Sequence, residues 1–265
     1  MTAIPTSTRQ WLLREKPTGF PLLEGEYATF ELNQAEIPPL GPSQVILKTL
    51  YLSNDPAQRG WISAGIDKKR LYTDPVEIGQ TMRSYGIAEV IHGTSEIYPR
   101  GSLVIVSANW TEYSIHDEKD CRPVKVLPGL RPTHFMGSFG LPALTAYYGL
   151  NEVVLATKDD TVVVSGAAGA TGSMAVQIAK KLIGCKRVGR SSLYPNQCHY
   201  IPCLPFKVIG IAGTEEKCRW VEHLGADLCL DYKSPTFQDD LIRATEDYVE
   251  VYFGIFSSST EITKD

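Results

Sequence analysis

The chain has 265 residues, 43% of them hydrophobic and 21% charged, and its net charge at neutral pH is −4. These values are typical of a globular protein with one large or two moderate domains, and they leave no basic field for nucleic acid. No run of about 18 apolar residues predicts a membrane span, and residues 1–19 lack a signal-peptide core, so we expect a cytoplasmic protein.

The first 130 residues alternate short apolar runs with Gly and Pro clusters. This pattern predicts an antiparallel, partly barrelled β domain. Residues 53–62 interrupt it with Asp55-Pro56, which predicts a turn. The predicted strands are 10–16, 28–37, 43–53, 85–91 and 102–109.

The second half changes character, because apolar strands alternate there with helical periodicity. Residues 131–154 are predicted to be mostly helical, with breaks at Gly140 and Pro142. Strand–helix–strand alternation predicts a parallel sheet with crossover helices. The predicted elements are strands 161–164, 207–213, 227–232 and 248–254, a helix from about Ala170, and a helix over 215–226 with Gly225 as its C-cap.

A glycine-rich turn, with Gly166, Gly169 and Gly172, lies between a buried strand and a helix. Small residues let the backbone approach a phosphate, and the first N–H groups of the helix then face the anion. The alternative is a turn whose small residues serve only helix–strand packing. The setting favours nucleotide binding, although the spacing is not the common G-x-G-x-x-G.

The tip of the second strand distinguishes NADP from NAD. An NAD site usually carries a carboxylate there, whereas this chain has Gly213 and Thr214, with Lys217 one helical turn on. A hydroxyl and an ammonium suit a 2′-phosphate, so we predict NADP. Tyr232 is a candidate to flank the adenine or phosphate. The alternatives are a solvated Lys217 and a surface tyrosine.

The six cysteines contain no Cys-x-x-Cys pair and predict reduced thiols. Cys198, His199 and Cys203 have no common zinc spacing, so we predict no metal site. His92 and His116 lack ligand partners and are interpreted as surface residues.

Five segments carry a family resemblance: they read "VVVSGAAGATGSMAVQIAK", "IAGTEEK", "LGADLCLDYK", "NWTEYSI" and "MGSFGLPALTAYYGL". Together they resemble the zinc-independent medium-chain dehydrogenase/reductases. The most similar group contains leukotriene hydroxydehydrogenase, prostaglandin reductase and the plant double-bond (alkenal) reductases with their fungal relatives. The resemblance covers about 20–185 and 207–253. It implies a GroES-like catalytic β domain over 1–130 and an NADP-binding Rossmann domain over 131–265.

The resemblance also implies an activity, the NADPH-dependent reduction of an α,β-unsaturated carbonyl compound. Hydride goes to the β carbon and the resulting enolate takes a proton. A small-molecule substrate is thus the expected partner, and no zinc is expected. The site residues implied by matched motifs are Gly169, Ala170, Thr171 and Gly172 at the pyrophosphate, Lys217 and Tyr232 at the adenosine phosphate, and Pro56 and Thr145 near the nicotinamide.

Departures from the family pattern leave alternatives open. Ala57 replaces a tyrosine of the substrate pocket, and Ile255 stands where an asparagine reaches the cofactor. The family's catalytic-site tyrosine lies beyond the chain end, so no catalytic residue is assigned. The last Rossmann strands and the family's dimer edge are also expected to be missing. The alternatives are a non-catalytic NADPH-binding remnant and a quinone oxidoreductase; missing ligands argue against a zinc alcohol dehydrogenase.

Residues 187–206 do not fit the crossover in which they lie. Gly172 and Gly213 are 41 positions apart, whereas this passage normally takes about 20–25 residues. Without the 20 residues of 187–206, the helix would pass normally into the strand. We interpret 187–206 as a non-native insertion, such as translated non-coding sequence, or a disordered loop; the alternative is a genuine surface insertion.

Overall fold

The computed structural model describes residues 4–71, 73–184, 208–246 and 248–254. The predictions for Cys198, His199 and Cys203, for 187–206 and for Ile255 lie outside these ranges. The chain divides into two compact units, Met1–Thr133 and His134–Asp265. The roles predicted for the two halves, catalytic for 1–130 and NADP-binding for 131–265, stay predictions.

The first unit consists of two antiparallel sheets. One pairs β1 with β2, and the other has the order β6-β3-β4-β5-β7. Fully buried residues of three neighbouring strands, Val45, Leu47, Val90 and Val104, form the core of the larger sheet. The strands are β1 (Ser7–Leu13), β2 (Phe30–Glu36), β3 (Gln44–Leu52), β4 (Gly86–Gly93), β5 (Leu103–Val106), β6 (Tyr113–Asp117) and β7 (Arg122–Pro123).

Part of the segment predicted as a turn, 53–62, is the short helix α1 (Ala57–Trp61). Pro56 precedes it with φ of −54°, which is already helical. The buried Gln58 side chain donates to the carbonyl oxygens of Ser53 and Arg83 at 3.2 and 3.1 Å, and these bonds connect the helix to the segments that follow β3 and precede β4. The turn prediction was therefore wrong over 57–61. Two short 3₁₀ helices, Lys68–Arg70 and Glu118–Asp120, complete this unit.

The second unit has a parallel four-stranded sheet with the order β10-β9-β8-β11, which confirms the predicted Rossmann-type sheet after a β domain. Each connection between neighbouring parallel strands contains a helix, as parallel pairing requires. The strands are β8 (Val162–Val164), β9 (Val208–Ala212), β10 (Leu228–Asp231) and β11 (Val251–Phe253). The α-helices are α2 (Leu141–Tyr148), α3 (Ala170–Gln177), α4 (Glu215–Leu224) and α5 (Phe237–Ala244).

Both faces of this sheet are covered. Val162 and Val164 of β8 pack in the core that includes residues of α2, α3 and α4, whereas Val163 packs in the core that includes α5. This alternation follows from the pleat of a strand. β11 lies at one edge of the described sheet, and its Tyr252 is exposed.

The helical region 131–154 agrees only in part with the prediction. A 3₁₀ helix, Pro132–Met136, precedes the break at Gly140, and a π-helical turn, Gly149–Val153, follows α2. Pro142 does not break the helix; it lies in the first turn of α2, where its missing N–H costs no helical hydrogen bond. A second π-helical segment, Ile178–Ile183, extends α3. Within the described residues, no helix has the length and apolar character needed to cross a membrane.

Candidate functional site

The turn between β8 and α3 is closed tightly by backbone contacts. The Gly169 N–H donates to the Gly166 carbonyl oxygen at 2.8 Å, and Gly166 has a φ of +59°. A Cβ on Gly172 would lie 2.3 Å from that same oxygen. Gly172 is therefore required by packing within the turn, which is what the alternative interpretation expected of it.

The start of α3 nevertheless offers the groups that an anion needs. Gly169 is the N-cap and has no side chain to cap the helix. The N–H groups of Ala170, Thr171 and Gly172 begin the helix, where intrahelical acceptors are missing and the helix dipole favours negative charge. Gly169 and Ala170 are exposed, so a ligand can reach this end of the helix.

A second group of site residues lies at the carboxyl end of β9. Thr214 is the N-cap of α4, and its hydroxyl oxygen accepts from the Lys217 N–H at 3.2 Å. Its O–H therefore stays able to donate to a ligand. Lys217 is exposed in the first turn of α4.

Tyr232 completes this group from the end of β10. Its N–H donates to the Ala212 carbonyl oxygen at 2.9 Å. A Cβ on Gly213 would lie 2.7 Å from the Tyr232 ring, so the ring covers this glycine and requires it. The structure thus brings Gly213, Thr214, Lys217 and Tyr232 together.

Charged side chains next to this group make two further contacts. The Lys233 Nζ atom lies 5.8 Å from the centroid of the Tyr232 ring, a cation–π contact. Lys233 was not predicted as a site residue, although it directly follows Tyr232 in the sequence. Glu215 pairs with Arg219 at 3.4 Å across one turn of α4, and both side chains are exposed.

Thr145 and Pro56 belong to different units. Thr145 is exposed on α2, which packs against α3, where its neighbour Ala146 is fully buried. Pro56 is the N-cap of α1 in the first unit. Ala57, which follows it, packs against a core that contains Trp61 and Ile62.

The described cysteines are buried and unsuited to nucleophilic chemistry. Burial raises the pKa of the Cys121 thiol to about 11, and burial also raises the pKa values of Cys218 and Cys229. In the part of the chain that the structure describes, no group of three or more His, Cys, Asp or Glu side chains is placed to hold a metal ion.

The two histidines interpreted as surface residues differ. His92 is exposed, whereas His116 is half-buried in β6 and its Nε2 atom lies 3.0 Å from the Ser114 hydroxyl oxygen. The surface interpretation of His116 was wrong, because β6 pairs with the inner strand β3 and every residue of β6 is half-buried. Burial lowers the pKa of His116, against the opposing effect of the Asp120 and Asp117 carboxylates.

Comparison with known proteins supplies independent evidence. A family described as the N-terminal domain of oxidoreductase matches residues 9–124. The chain is 31% identical to the NADPH-dependent curcumin reductase of Escherichia coli and 32% identical to prostaglandin reductase 1 of Rattus norvegicus. Each alignment covers 92% of this chain, but only 62% and 64% of those relatives. The chain therefore spans less than two thirds of the length of the curated relatives it matches.

A solved structure also matches this chain. CurA from Vibrio vulnificus in complex with NADPH matches with a TM-score of 0.76 and 32% sequence identity. The match covers 92% of this chain and 64% of CurA. Fold and sequence therefore agree over nearly the whole of this chain.

Proposed function

We propose that this chain, an oxidoreductase of the medium-chain dehydrogenase/reductase family, binds NADPH and reduces the carbon–carbon double bond of α,β-unsaturated carbonyl compounds. The observation that carries the proposal is the pair of ligand-accessible groups in the second unit, at the start of α3 and at the carboxyl end of β9. Parallel sheets bind nucleotides at the carboxyl ends of their strands.

The described residues fit the cofactor. The Gly172 position has no room for a Cβ beside the Gly166 oxygen, so the turn keeps its backbone N–H groups close to an approaching pyrophosphate. Ala170, Thr171 and Gly172 would hold it with those N–H groups. The bound cofactor supplies the hydride for the reduction.

The 2′-phosphate would be held by the second group. Thr214 offers a hydroxyl donor and Lys217 an exposed ammonium, while Tyr232 covers Gly213 beside them. A dianionic phosphate gains from charge-assisted hydrogen bonds that a bare ribose hydroxyl does not make. These residues therefore favour NADPH over NADH.

We propose that Pro56 and Thr145 orient the nicotinamide. We propose no catalytic zinc, since the first cysteine of this sequence, Cys121, comes too late to be the early zinc ligand of a zinc alcohol dehydrogenase. A small-molecule enone or enal substrate and a cytoplasmic location belong to the same proposal. No proton donor is assigned to the described residues.

Replacing Lys217 tests the phosphate site. We expect Lys217→Ala to weaken NADPH binding by about tenfold, because one charge-assisted hydrogen bond is lost, and to leave NADH binding unchanged. The measurement is a titration of each nucleotide by isothermal calorimetry. Arg219→Ala, an exposed change two residues further along α4, is the control and should leave both affinities unaltered. Equal losses for both nucleotides in Lys217→Ala would contradict the assignment.

Turnover is tested separately by following NADPH oxidation with an alkenal and with a benzoquinone. Oxidation with the alkenal supports the proposal, and oxidation with the quinone alone favours a quinone oxidoreductase. Selective NADPH binding without turnover on either acceptor favours a non-catalytic remnant. Ala57, which replaces a tyrosine of the family's substrate pocket, is the observation behind that last alternative.

A further inference from the structure

Gly213 directly follows β9, at the position where an NAD-binding sheet of this type usually carries an acidic side chain. Its φ lies outside the left-handed region, so the backbone there does not need glycine. A Cβ at this position would instead meet three atoms of one aromatic ring, that of Tyr232, at 2.7 to 2.9 Å. The space that Tyr232 takes, and not the backbone, therefore explains the glycine.

The part of the ring that fills this space is its polar end. The hydroxyl oxygen of Tyr232 lies 2.8 Å from the Cβ position of Gly213, and the ring carbon that carries it, Cζ, lies 2.9 Å away. Atoms that are not bonded to each other do not approach so closely in a packed protein. A side chain at position 213 and the present position of the Tyr232 ring therefore exclude each other.

The main chain around Tyr232 is fixed by hydrogen bonds. The Tyr232 N–H donates to the Ala212 carbonyl oxygen at 2.9 Å. Directly after it, the Lys233 N–H donates to the Oδ1 atom of Asp231 at 3.0 Å. The ring can therefore leave Gly213 only by rotation of its own side chain.

Lys233 opposes that rotation. Its Nζ atom lies over the Tyr232 ring, 5.8 Å from the centroid, and a cation in this place is attracted to the ring face. Both side chains are exposed, so the contact is a weak one. Lys233 is thus a positioning residue that acts through Tyr232.

We infer, on the basis of the proposed function, that cofactor preference depends on which of two groups fills the space beside the end of β9. The Tyr232 phenol, held there by Lys233, favours NADPH because it brings no negative charge close to the 2′-phosphate. A carboxylate at position 213 would bind the ribose hydroxyls of NADH and repel that phosphate. Lys217 and Thr214 attract the phosphate, and the ring excludes the group that would repel it.

A double-mutant cycle on the full chain tests this inference. NADH and NADPH are titrated calorimetrically into the parent chain, Gly213→Asp, Tyr232→Ala and the variant with both changes. We expect the two changes together to raise NADH affinity about tenfold over the parent, because a charge-assisted hydrogen bond to the ribose forms. Gly213→Asp alone should raise it less than about twofold, because the ring blocks the carboxylate. An equal rise with and without the ring would overturn the inference.

The steric conflict itself is measured without nucleotide, by urea denaturation. We expect Gly213→Ala to lower the urea midpoint of the parent chain but not that of Tyr232→Ala, because the added methyl group meets the ring only in the parent. Equal shifts in the two backgrounds would overturn the inference even if NADPH binds. A parent chain that shows the steric coupling but binds neither nucleotide would contradict the proposed function, and the inference would fall with it.

The role of Lys233 is tested by two substitutions in the Gly213→Asp background. Lys233→Gln removes the cation over the ring, so the ring moves aside more easily and NADH affinity should rise about threefold. Lys233→Arg keeps a cation there and should leave NADH affinity as it is with lysine, which a general loss of structure would not do. The same rise with glutamine and with arginine would show that Lys233 does not position Tyr232.

Discussion

His116 is the half-buried imidazole of the first unit, and burial lowers its pKa below the ordinary value of 6.5. The unfolded chain therefore binds a proton at His116 at a higher pH than the folded chain does. Stability is fully present above about pH 6.5 and falls as the pH decreases from there toward the folded-state pKa. We expect His116→Gln to lose less stability than the parent chain between pH 7.5 and pH 5.5.

Urea denaturation at a series of pH values between those limits measures this effect. The carboxylates with lowered pKa values do not interfere, because the contributions of Glu77, paired with Lys16, and Glu112, paired with Arg9, are lost only as the pH falls through and below about 4.5. Parallel pH profiles of the two proteins would show that His116 does not carry the dependence.

At the scale of residues, sequence reasoning worked where spacing implies geometry. A threonine directly after a buried strand and before a helix predicted the position of Thr214 at the start of α4. It failed for His116, because burial in β6 comes from pairing with β3, a strand about 70 positions away.

Asp227 holds several elements of the second unit together. Its carboxylate pairs with Lys180 in the π-helical extension of α3, and it accepts from the Val208 N–H at 3.1 Å at the first residue of β9. The Asp227 N–H returns a hydrogen bond to the Val208 carbonyl oxygen at 2.9 Å. One side chain therefore fixes the start of β9 against both a helix end and the loop before β10.

Replacing Asp227 by asparagine should destabilise the second unit by about 1–3 kcal/mol, because a partly buried Lys180 ammonium loses its counter-charge. Urea denaturation with far-UV circular dichroism measures the change. Glu215→Gln, which breaks the exposed pair with Arg219, is the matched control and should cost less than about 1 kcal/mol. Equal effects of the two substitutions would contradict the role assigned to Asp227.

At the scale of elements, hydrophobic periodicity predicted the strands and helices around the glycine turn. Helix α5 was not predicted, although Phe237, Leu241 and Ala244 recur at helical spacing and pack against the core. Helix α1 was mistaken for a turn, since its five residues are too few for a period and its stability comes from the bonds of Gln58. Tertiary contacts decide such short elements.

Deleting 187–206 tests the largest irregularity of the molecule. The register on both sides of the deletion is regular, with Val162 opposite Val208 and Val164 opposite Gly210. Shortening the connection between β8 and β9 lowers the entropy cost of closing it, so we expect the deletion to raise the free energy of unfolding by about 0.6 kcal/mol. NADPH affinity should stay unchanged.

Denaturation and NADPH titration of the deleted chain beside the full chain measure both quantities. A deleted chain that fails to fold or to bind would mean that 187–206 is a genuine part of the second unit.

The predicted order of a β domain and a Rossmann-type sheet was confirmed, because local patterns repeat along the chain. Residues 187–206 have no such pattern, so the sequence supports no structural prediction for them.

The spread of the two cores along the chain has a consequence for synthesis on the ribosome. The sheets of the first unit are complete once Pro123 has emerged, so that unit can fold while translation continues. The second unit must wait, because Ala146 and Leu150 share a core with Val251, and the Phe253 ring lies 2.7 Å from the position that a Cβ of Gly149 would take. The helical segment around α2 therefore leaves the ribosome long before the strand that covers it, and chaperones have their longest opportunity to bind in that interval.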